Sequence, residues 1–332
     1  MFVFDEHVGF ISLYLISIED HNLSHKQLAF MKTSRRTFVK AGTIATVGAV
    51  IFPGPVFASG KTMGIVGLQL YSVRDEMSKD PLGSLTQLAK MGYIYVEHAN
   101  YIDRKFYGYK APEFKKILDG LGLKMVSGHT VMQRQHWDET KTDFSDSWKQ
   151  TIEDAAVLGQ KYVVSPSMDS TMRNNYDDFK RYMDVFNKCG ELCNKQAMKF
   201  GYHNHDFEFS EKLNGEKLFD IMMKSMDPEL VVVQLDIGNL YNGGAIAIDV
   251  VNQYPGRFEN VHVKDEIKAA SGNEKYESTI LGEGIVDAKK VVDALTKIGG
   301  TTCYIIEQES YQGKTPLECV KTDLEIMKKW GY

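Results

Sequence analysis

The stretch GIVGLQLYSVRDEMSKDPLGSLTQLAKMGYIYVEHA, from Gly64 to Ala99, contains one complete strand–helix–strand unit. The runs at 64–73 and 93–99 are rich in β-branched and aromatic residues, which favour strands. Between them, 81–92 places apolar residues at three- and four-residue spacing, which predicts an amphipathic helix ending at Gly92. The first strand is not followed by a glycine-rich phosphate loop, so no dinucleotide-binding motif is present there. The unit therefore predicts two parallel strands joined by a helical crossover.

The same alternation continues to the C-terminus. The eight predicted strands occupy residues 64–73, 93–99, 124–130, 161–167, 199–205, 230–239, 259–265 and 303–309. Further amphipathic helices are predicted at 112–122, 286–300 and 316–331. Strands that alternate with helices form a parallel sheet, and eight such units match an α/β protein with the (β/α)8 TIM barrel fold. A doubly wound open sheet is the alternative. No linker divides 59–332, which we predict to be one domain.

The first 58 residues have the composition of a targeting segment. SRRTFVK, Ser34 to Lys40, precedes an apolar run at 41–52 and a small-residue segment ending at Ala58. This order is typical of an export signal, and the paired arginines indicate the twin-arginine route to the periplasm, so we predict a signal peptide at 31–58. We interpret 1–30 as an upstream extension from a mis-chosen start codon. The apolar runs are too short to span a bilayer, so no stable membrane insertion is expected after cleavage.

The composition is that of an ordinary globular protein, with 332 residues, 43% of them hydrophobic, and a formal net charge of -5. A mildly acidic chain lacks the strongly basic character that nucleic acids attract, so no nucleic-acid partner is expected. None of the 4 cysteines forms a CxxC pair, and they are predicted to be buried thiols.

Polar residues accumulate where the predicted strands end, which is where TIM barrels carry their active sites. The ionisable residues in these positions are Glu97, His98, His129, His203, His205, Asp236, His262, Lys264, Glu307 and Glu309. Burying so many without partners would be costly, so their convergence predicts a shared site for a cation and a polar substrate. Imidazole and carboxylate ligands together favour one divalent Mn, Zn, Co or Fe ion over Mg or Ca.

A cation in such a site would act as a Lewis acid while a side chain removes a proton from the carbon next to a carbonyl. The candidates for moving that proton are His205, Glu208, His129 and Lys264, and Glu97 is a further catalytic candidate. The structural alternatives are that the histidines are only hydrogen-bonded strand ends, that Lys264 is a solvated tip and that Glu208 faces water beyond its strand.

The segments GLQLYSVRDE, YVEHA, SGHT, GYHNHDFEF, LDIGN, VHVKD and IIEQE, in this order, resemble the sugar phosphate isomerase/epimerase family of xylose isomerase-like TIM barrels. The resemblance covers residues 64–331. It implies one divalent metal ion with ligands from the fifth to eighth strands, at positions that match His203, Asp236, His262 and Glu307. Many family members have a glutamate in the fifth strand, where this chain has YHNH. The resemblance therefore leaves open whether His203 or His205 is the ligand, and the other imidazole becomes the first candidate for the base.

The same resemblance implies a metal-dependent isomerase or epimerase that acts on a small sugar or keto-sugar. Elimination shares the first chemical step, so a lyase that cleaves 3-keto-glycosides is an alternative, as is a periplasmic sugar-binding barrel without catalysis. The abasic-site endonucleases of this superfamily have a histidine three residues after the sixth-strand aspartate. This chain has Asn239 there, which argues against DNA repair.

Overall fold

The computed structural model describes residues 64–272 and 274–332. The signal peptide predicted at 31–58 and the extension predicted at 1–30 lie outside the described residues. Within the described part, eight parallel strands close into a barrel, so the predicted (β/α)8 TIM barrel is confirmed. No helix of that part is both long and apolar enough to cross a membrane.

The barrel strands are numbered here in chain order. They are β1 (Ile65–Gln69), β2 (Tyr95–His98), β3 (Lys124–His129), β4 (Tyr162–Ser165), β5 (Lys199–His203), β6 (Val231–Asp236), β7 (Asn260–Val263) and β8 (Cys303–Ile306). Each strand pairs with its neighbours in sequence, and β1 pairs with β8 to close the barrel. All eight C-terminal ends therefore point to one rim.

Every crossover contains at least one helix. The helices are α1 (Arg74–Lys79), α2 (Pro81–Met91), α3 (Ala111–Leu121), α4 (Asp146–Leu158), α5 (Tyr176–Asn194), α6 (Phe207–Ser210), α7 (Leu218–Ser225), α8 (Ala247–Gln253), α9 (Ala288–Ala294) and α10 (Pro316–Trp330). The predicted stop at Gly92 is confirmed, because this residue ends α2 with a φ of 99° that favours glycine. The predicted helix at 286–300 is shorter, since α9 gives way to a π-helical turn, Leu295–Gly299.

The inside of the barrel changes from apolar to polar towards the C-terminal rim. On β6, side chains two residues apart share a face, so Val232, Gln234 and Asp236 alternate with Val233 and Leu235. Val232 belongs to a small apolar cluster, while Val233 and Leu235 belong to the main hydrophobic core. The interior of the barrel is thus apolar towards the N-terminal ends of the strands and polar towards their C-terminal ends, and the main hydrophobic core lies outside the strands.

Several predicted strands end early. The fifth was expected to reach His205 and the first to reach Val73, but β5 ends at His203 and β1 at Gln69. β5 ends before Asn204, whose side chain contacts β6: its Oδ1 accepts a hydrogen bond from the backbone N–H of Asp236 at 2.9 Å. Short hairpins that the sequence did not predict follow β2, β3, β5 and β7, at 101–110, 137–144, 212–217 and 265–279.

The cysteines agree with the prediction of buried thiols. All four, Cys189, Cys193, Cys303 and Cys319, are described by the structure, and each is buried and free. Cys189 and Cys193 lie one turn apart on α5, a spacing that does not suit a disulfide.

Candidate active site

Four ionisable side chains meet at the C-terminal rim between β5 and β8. The last residues of β5 and β6 are His203 and Asp236, and the last residue but one of β7 is His262. Glu307 directly follows β8. One ligand atom from each of the four lies within 4.8 Å of the others, and all four residues are buried. These are the four positions that the family resemblance indicated, and we call them the cation cluster.

Asp236 has one satisfied and one unsatisfied carboxylate oxygen. Its Oδ1 accepts hydrogen bonds from the backbone N–H groups of Gly238 and Asn239, both at 2.8 Å. Its Oδ2 is buried and has no hydrogen-bond partner among the described residues. Burial raises the pKa of Asp236, although the neighbouring Lys264 opposes the shift. Nζ of Lys264 lies 3.5 Å from Oδ2 and offsets its charge, but no hydrogen bond satisfies this buried oxygen, which is costly. A cation in the cluster would remove that cost. The cluster is therefore able to hold a metal ion.

His262 is held between two carboxylates. Its Nδ1 lies 3.0 Å from Oε2 of Glu307, and its Nε2 lies 2.6 Å from Oε1 of Glu97. Burial opposes a charged imidazole, but Glu307 and Glu97 outweigh it and raise the pKa of His262 to about 10. Its Nδ1, at 3.9 Å from Asp236, faces the cluster, and Nε2 is turned to Glu97. A carboxylate on the outer ring nitrogen is the usual support of a metal-binding histidine.

Glu97, a catalytic candidate from the sequence, lies behind the cluster and is fully buried. Its Oε1 also accepts a hydrogen bond from Nε2 of Gln69, and its Oε2 accepts one from Nε2 of Gln234, both at 2.7 Å. Both oxygens of Glu97 are hydrogen-bonded within the protein and the residue does not line the cavity, so its contacts are those of a side chain that positions others. Sequence reasoning missed Gln69 and Gln234. The signal for Gln234 was its position two residues before Asp236, on the same inward face.

His129, at the end of β3, lies beside the cluster. Its Nε2 is 2.7 Å from Oε1 of Gln234 and 3.1 Å from Oε1 of Glu97. Its ring stacks on that of His262, with centroids 5.2 Å apart and planes 10° apart. His129, His203 and His262 also form a second group whose nitrogen atoms lie close enough to share an ion. His129 therefore remains both a candidate ligand and a candidate proton carrier.

The two histidines of YHNH occupy different places. His203 belongs to the cation cluster, whereas His205 lies beyond the strand end, with its ring centroid 5.1 Å from that of His203, and lines the cavity above the cluster. Burial and the charge of Lys264 lower the pKa of His205. A neutral imidazole that faces a cavity is the form needed to accept a proton.

Glu208 does not lie where the sequence placed it. We expected it to carry a proton in the site or to face water, but it is buried on α6 and does not line the main cavity. Its Oε1 accepts a hydrogen bond from Tyr202 at 2.6 Å, and its Oε2 accepts one from the backbone N–H of His205 at 2.9 Å. Burial raises the pKa of Glu208 to about 7. Glu208 is thus a support for the backbone of His205.

Lys264 is buried, with 1% of its surface exposed, so it is not a solvated tip. Its Nζ donates to Oδ1 of Asn239 at 2.9 Å and contacts Glu307 and Glu309, both at 3.2 Å. Burial opposes its charge, but Asp236, Glu307 and Glu309 outweigh burial and raise the pKa of Lys264 well above its usual value. Lys264 is therefore placed to donate hydrogen bonds to Asn239 and the two glutamates, and its role in moving a proton stays a prediction.

A cavity of about 720 Å³ opens above the cluster. Its polar wall contains His129, His203, His205, Glu307 and Glu309. The rest of the lining comes from the segments that follow β1 to β4, which form the other half of the barrel rim. Of the residues that the structure describes, no lysine or arginine lines this cavity. The arrangement can hold a cation, a polar ligand and a neutral imidazole side by side.

The fold agrees with the comparisons to known proteins. Residues 85–330 match the family model of the xylose isomerase-like TIM barrel, and the chain belongs to this family. An inosose dehydratase from Geobacillus thermodenitrificans (strain NG80-2) is 25% identical over 252 residues, which are 68% of this chain and 80% of the relative.

Solved structures share the architecture. The crystal structure of a sugar phosphate isomerase/epimerase from Parabacteroides distasonis ATCC 8503 is 26% identical, with a TM-score of 0.68 over 83% of this chain and 98% of that chain. An IolI protein with a bound zinc atom is 15% identical, with a TM-score of 0.62 over 81% of this chain and 98% of that chain, and shows the same fold.

Proposed function

We propose that this protein is a metal-dependent enzyme that removes a proton from the carbon next to the carbonyl of a sugar or keto-sugar, and that it isomerises or epimerises that substrate. The observation that carries the proposal is the buried Oδ2 of Asp236, which has no hydrogen-bond partner among the described residues. It lies beneath a cavity together with two imidazoles and a second carboxylate, and the Lys264 ammonium is 3.5 Å away. Buried polar groups arranged in this way mark functional sites.

We propose His203, Asp236, His262 and Glu307 as the residues that hold one divalent ion. Two nitrogen and two oxygen ligands suit Mn, Zn, Co or Fe, and the zinc-bound IolI protein with the same fold supports this assignment. When bound, such an ion supplies a Lewis acid that makes the hydrogen next to a carbonyl more acidic.

His205 is the proposed base. It lines the cavity next to His203 without belonging to the cation cluster, burial lowers its pKa, and Glu208 accepts a hydrogen bond from its backbone N–H. Lys264 balances the charge of Glu307 and Glu309 and keeps both carboxylates in place. His129, which also lines the cavity, is the proposed second proton carrier, because epimerisation requires a proton to return to the opposite face of the sugar.

Elimination is the second candidate. It begins with the same proton removal and ends with the loss of a group one carbon further on. The inosose dehydratase from Geobacillus thermodenitrificans matches 68% of this chain and 80% of its own length, and its name describes such a loss of water from a keto-polyol. This relationship favours a lyase, including one that cleaves 3-keto-glycosides, to the same extent that the sugar phosphate isomerase/epimerase structure favours isomerisation.

The test is solvent exchange. Protein loaded with Mn, Zn or Co is incubated in D₂O with free ketoses, 3-keto-sugars and 3-keto-glycosides, and proton NMR follows the position next to the carbonyl. We expect deuterium to enter one position, and His205→Gln to slow this exchange by about 10²–10⁴-fold, which is the usual contribution of a general base. The products separate epimerisation, isomerisation and elimination. Binding of a keto-sugar without any exchange would show that the protein is a non-catalytic sugar-binding barrel.

A further inference from the structure

The cavity is larger than a single sugar ring requires. Its volume of about 720 Å³ lies well inside the range of about 300–1,000 Å³ found for pockets that enclose drug-sized ligands. The cation cluster comes from β5 to β8 only, so a sugar ring held there leaves the part of the cavity above β1 to β4 for something else.

That second part has an apolar surface. Tyr71, Ile102 and Val131 lie in the segments after β1, β2 and β3, and all three line the cavity. They are among the large hydrophobic side chains that face water, with 44%, 62% and 37% of their surfaces exposed. A single exposed apolar residue is ordinary, but three from separate loops that converge on one cavity mark a binding surface. We call these three residues the apolar rim.

Tyr71 is held in place although it is exposed. The guanidinium carbon of Arg74 lies 4.7 Å from the centre of the Tyr71 ring, and Nη1 of Arg74 donates to Tyr71 O at 3.2 Å and to Tyr311 Oη at 2.9 Å. An aromatic ring that is fixed before binding loses little conformational freedom when a ligand stacks on it. Tyr71 also lines a neighbouring cavity of about 310 Å³, together with Ala99 and Asn100, which belong to both cavities.

Apart from the ion proposed for the cation cluster, the side-chain charges of the main cavity do not suit a phosphate group. Glu307, Glu309 and Asp103 line it, and no described lysine or arginine does so. Lys264 lies behind this wall, where carboxylates already surround its charge. Arg74 lines only the smaller neighbouring cavity, and its guanidinium is engaged by Tyr71 and Tyr311. Phosphate recognition in proteins depends on basic side chains or helix N-termini that point at the anion.

We propose that the apolar rim is a subsite for an apolar or aromatic group attached to the sugar, so that the substrate is an uncharged glycoside and not a sugar phosphate. The proposal rests on the proposed function, because it assumes that the sugar ring lies at the cation cluster. It assigns to Tyr71, Ile102 and Val131 the recognition of the second unit, through stacking on the tyrosine ring and contact with the two aliphatic side chains.

The test uses ligands that have no carbonyl to enolise, so it does not depend on the chemistry. Dissociation constants of phenyl β-D-glucopyranoside, D-glucose and D-glucose 6-phosphate are measured by NMR titration of the metal-loaded protein. Stacking and apolar contact should make the phenyl glucoside bind about tenfold more tightly than glucose, and glucose 6-phosphate should bind more weakly than glucose.

Substitutions in the rim locate the effect. Tyr71→Ala and Val131→Ser should remove the preference for the phenyl glucoside and leave the affinity for glucose unchanged. Ile94→Ser is the matched control, because Ile94 is also exposed but lies just before β2, at the opposite end of the barrel. Equal affinities for the phenyl glucoside and glucose, no detectable binding of the phenyl glucoside at millimolar concentration, or preferred binding of glucose 6-phosphate would each overturn the proposal. The solvent-exchange experiment with keto-sugars decides the proposed function separately.

Discussion

Oε1 of Glu97 lies 2.6 Å from Nε2 of His262, on the side of the imidazole that is turned away from the cation cluster. The contact links β2 to β7 across the inside of the barrel and fixes which ring nitrogen faces Asp236. It makes Glu97 the support of a proposed ligand, although the sequence presented it as another acid at a strand end. The distinction matters because a supporting carboxylate and a catalytic carboxylate respond differently to substitution.

Glu97→Gln should weaken metal binding and leave the fold intact. The amide keeps the size of the side chain but removes the negative charge that orients His262, and loss of such a supporting carboxylate typically lowers metal affinity about 10–100-fold. Competition with a chromophoric chelator measures the affinity. Glu309→Gln is the control, since Glu309 contacts Lys264 but is not in the cation cluster. Unchanged affinity in Glu97→Gln would show that His262 does not depend on this contact or is not a ligand.

His203→Gln and His205→Gln should separate metal binding from proton transfer. We expect His203→Gln to lose metal content, because the ring of His203 lies in the cluster. His205→Gln should keep its metal and lose deuterium exchange into the substrate. Metal content by atomic emission and exchange by NMR, measured on the same preparations, give both results. A metal-free His205→Gln variant would reverse the assignment of the two imidazoles.

The rest of the cluster offers a parallel check. Asp236→Ala, His262→Ala and Glu307→Ala should each remove the metal ion, because each deletes one of four converging ligands. A bound metal stabilises the folded protein in proportion to the logarithm of its concentration over its dissociation constant. Added Zn or Mn should therefore raise the melting temperature of the wild type but not of these variants. Full metal content in all three would contradict the site.

The barrel and the convergence of polar side chains at its rim could be predicted from local pattern, whereas the choice of four residues for the cation cluster came from the family resemblance. Alternating strands and helices fix the topology, and the last inward position of each strand fixes which side chains meet, as for Asp236 on β6 and His262 on β7. The places of Glu208 and Lys264 could not be predicted in this way. The place of Glu208 depends on Asn204, which ends β5 early through its hydrogen bond to Asp236. The burial of Lys264 depends on its ion pairs with Asp236 and Glu307. Both are contacts between segments distant in sequence.

The apolar rim was also beyond sequence reasoning. Tyr71, Ile102 and Val131 lie in three separate segments, and each taken alone is an ordinary exposed hydrophobic residue. Only the folded barrel brings them to one cavity. The early end of β1 matters here, because Tyr71 lies in a 3-10 turn, Leu70–Val73, where we expected the strand to continue.

Export can be tested without any knowledge of the substrate. If 31–58 is a twin-arginine signal, replacing both Arg35 and Arg36 by Lys should stop export and cleavage, although the positive charge is retained, because the route requires the arginine pair. Cell fractionation with mass analysis of the N-terminus measures this in a bacterial host. Lys40→Arg is the control and should be exported normally. Unimpaired export of the double variant would show that another route is used.

Asp323 on α10 should make stability depend on pH for a reason unrelated to the metal. Its Oδ1 accepts a hydrogen bond from the backbone N–H of Leu281 at 2.9 Å, and its Oδ2 is buried without a partner among the described residues. Burial, with Asp265 and Glu283 nearby, raises the pKa of Asp323 to about 7. Between roughly pH 4 and pH 7 the folded protein therefore binds more protons than the unfolded chain, whose aspartates have a pKa of about 3.9, so this residue lowers stability as the pH rises.

Asp323→Asn, which resembles the protonated acid in size and in neutrality, should remove this dependence. Relative to the variant, the wild type should lose on the order of 3 kcal/mol in its free energy of unfolding between pH 4.5 and pH 7.5. Urea unfolding of both proteins measures the two free energies of unfolding, and a chelator keeps both proteins free of metal. The titration of all other groups is common to the two proteins and cancels when one free energy is subtracted from the other. Asp119→Asn, the same substitution at an exposed position on α3, is the control for the loss of one carboxylate. Parallel pH profiles for the wild type and Asp323→Asn would mean that Asp323 is ionised in the folded protein at acidic pH and that its burial is compensated by solvent.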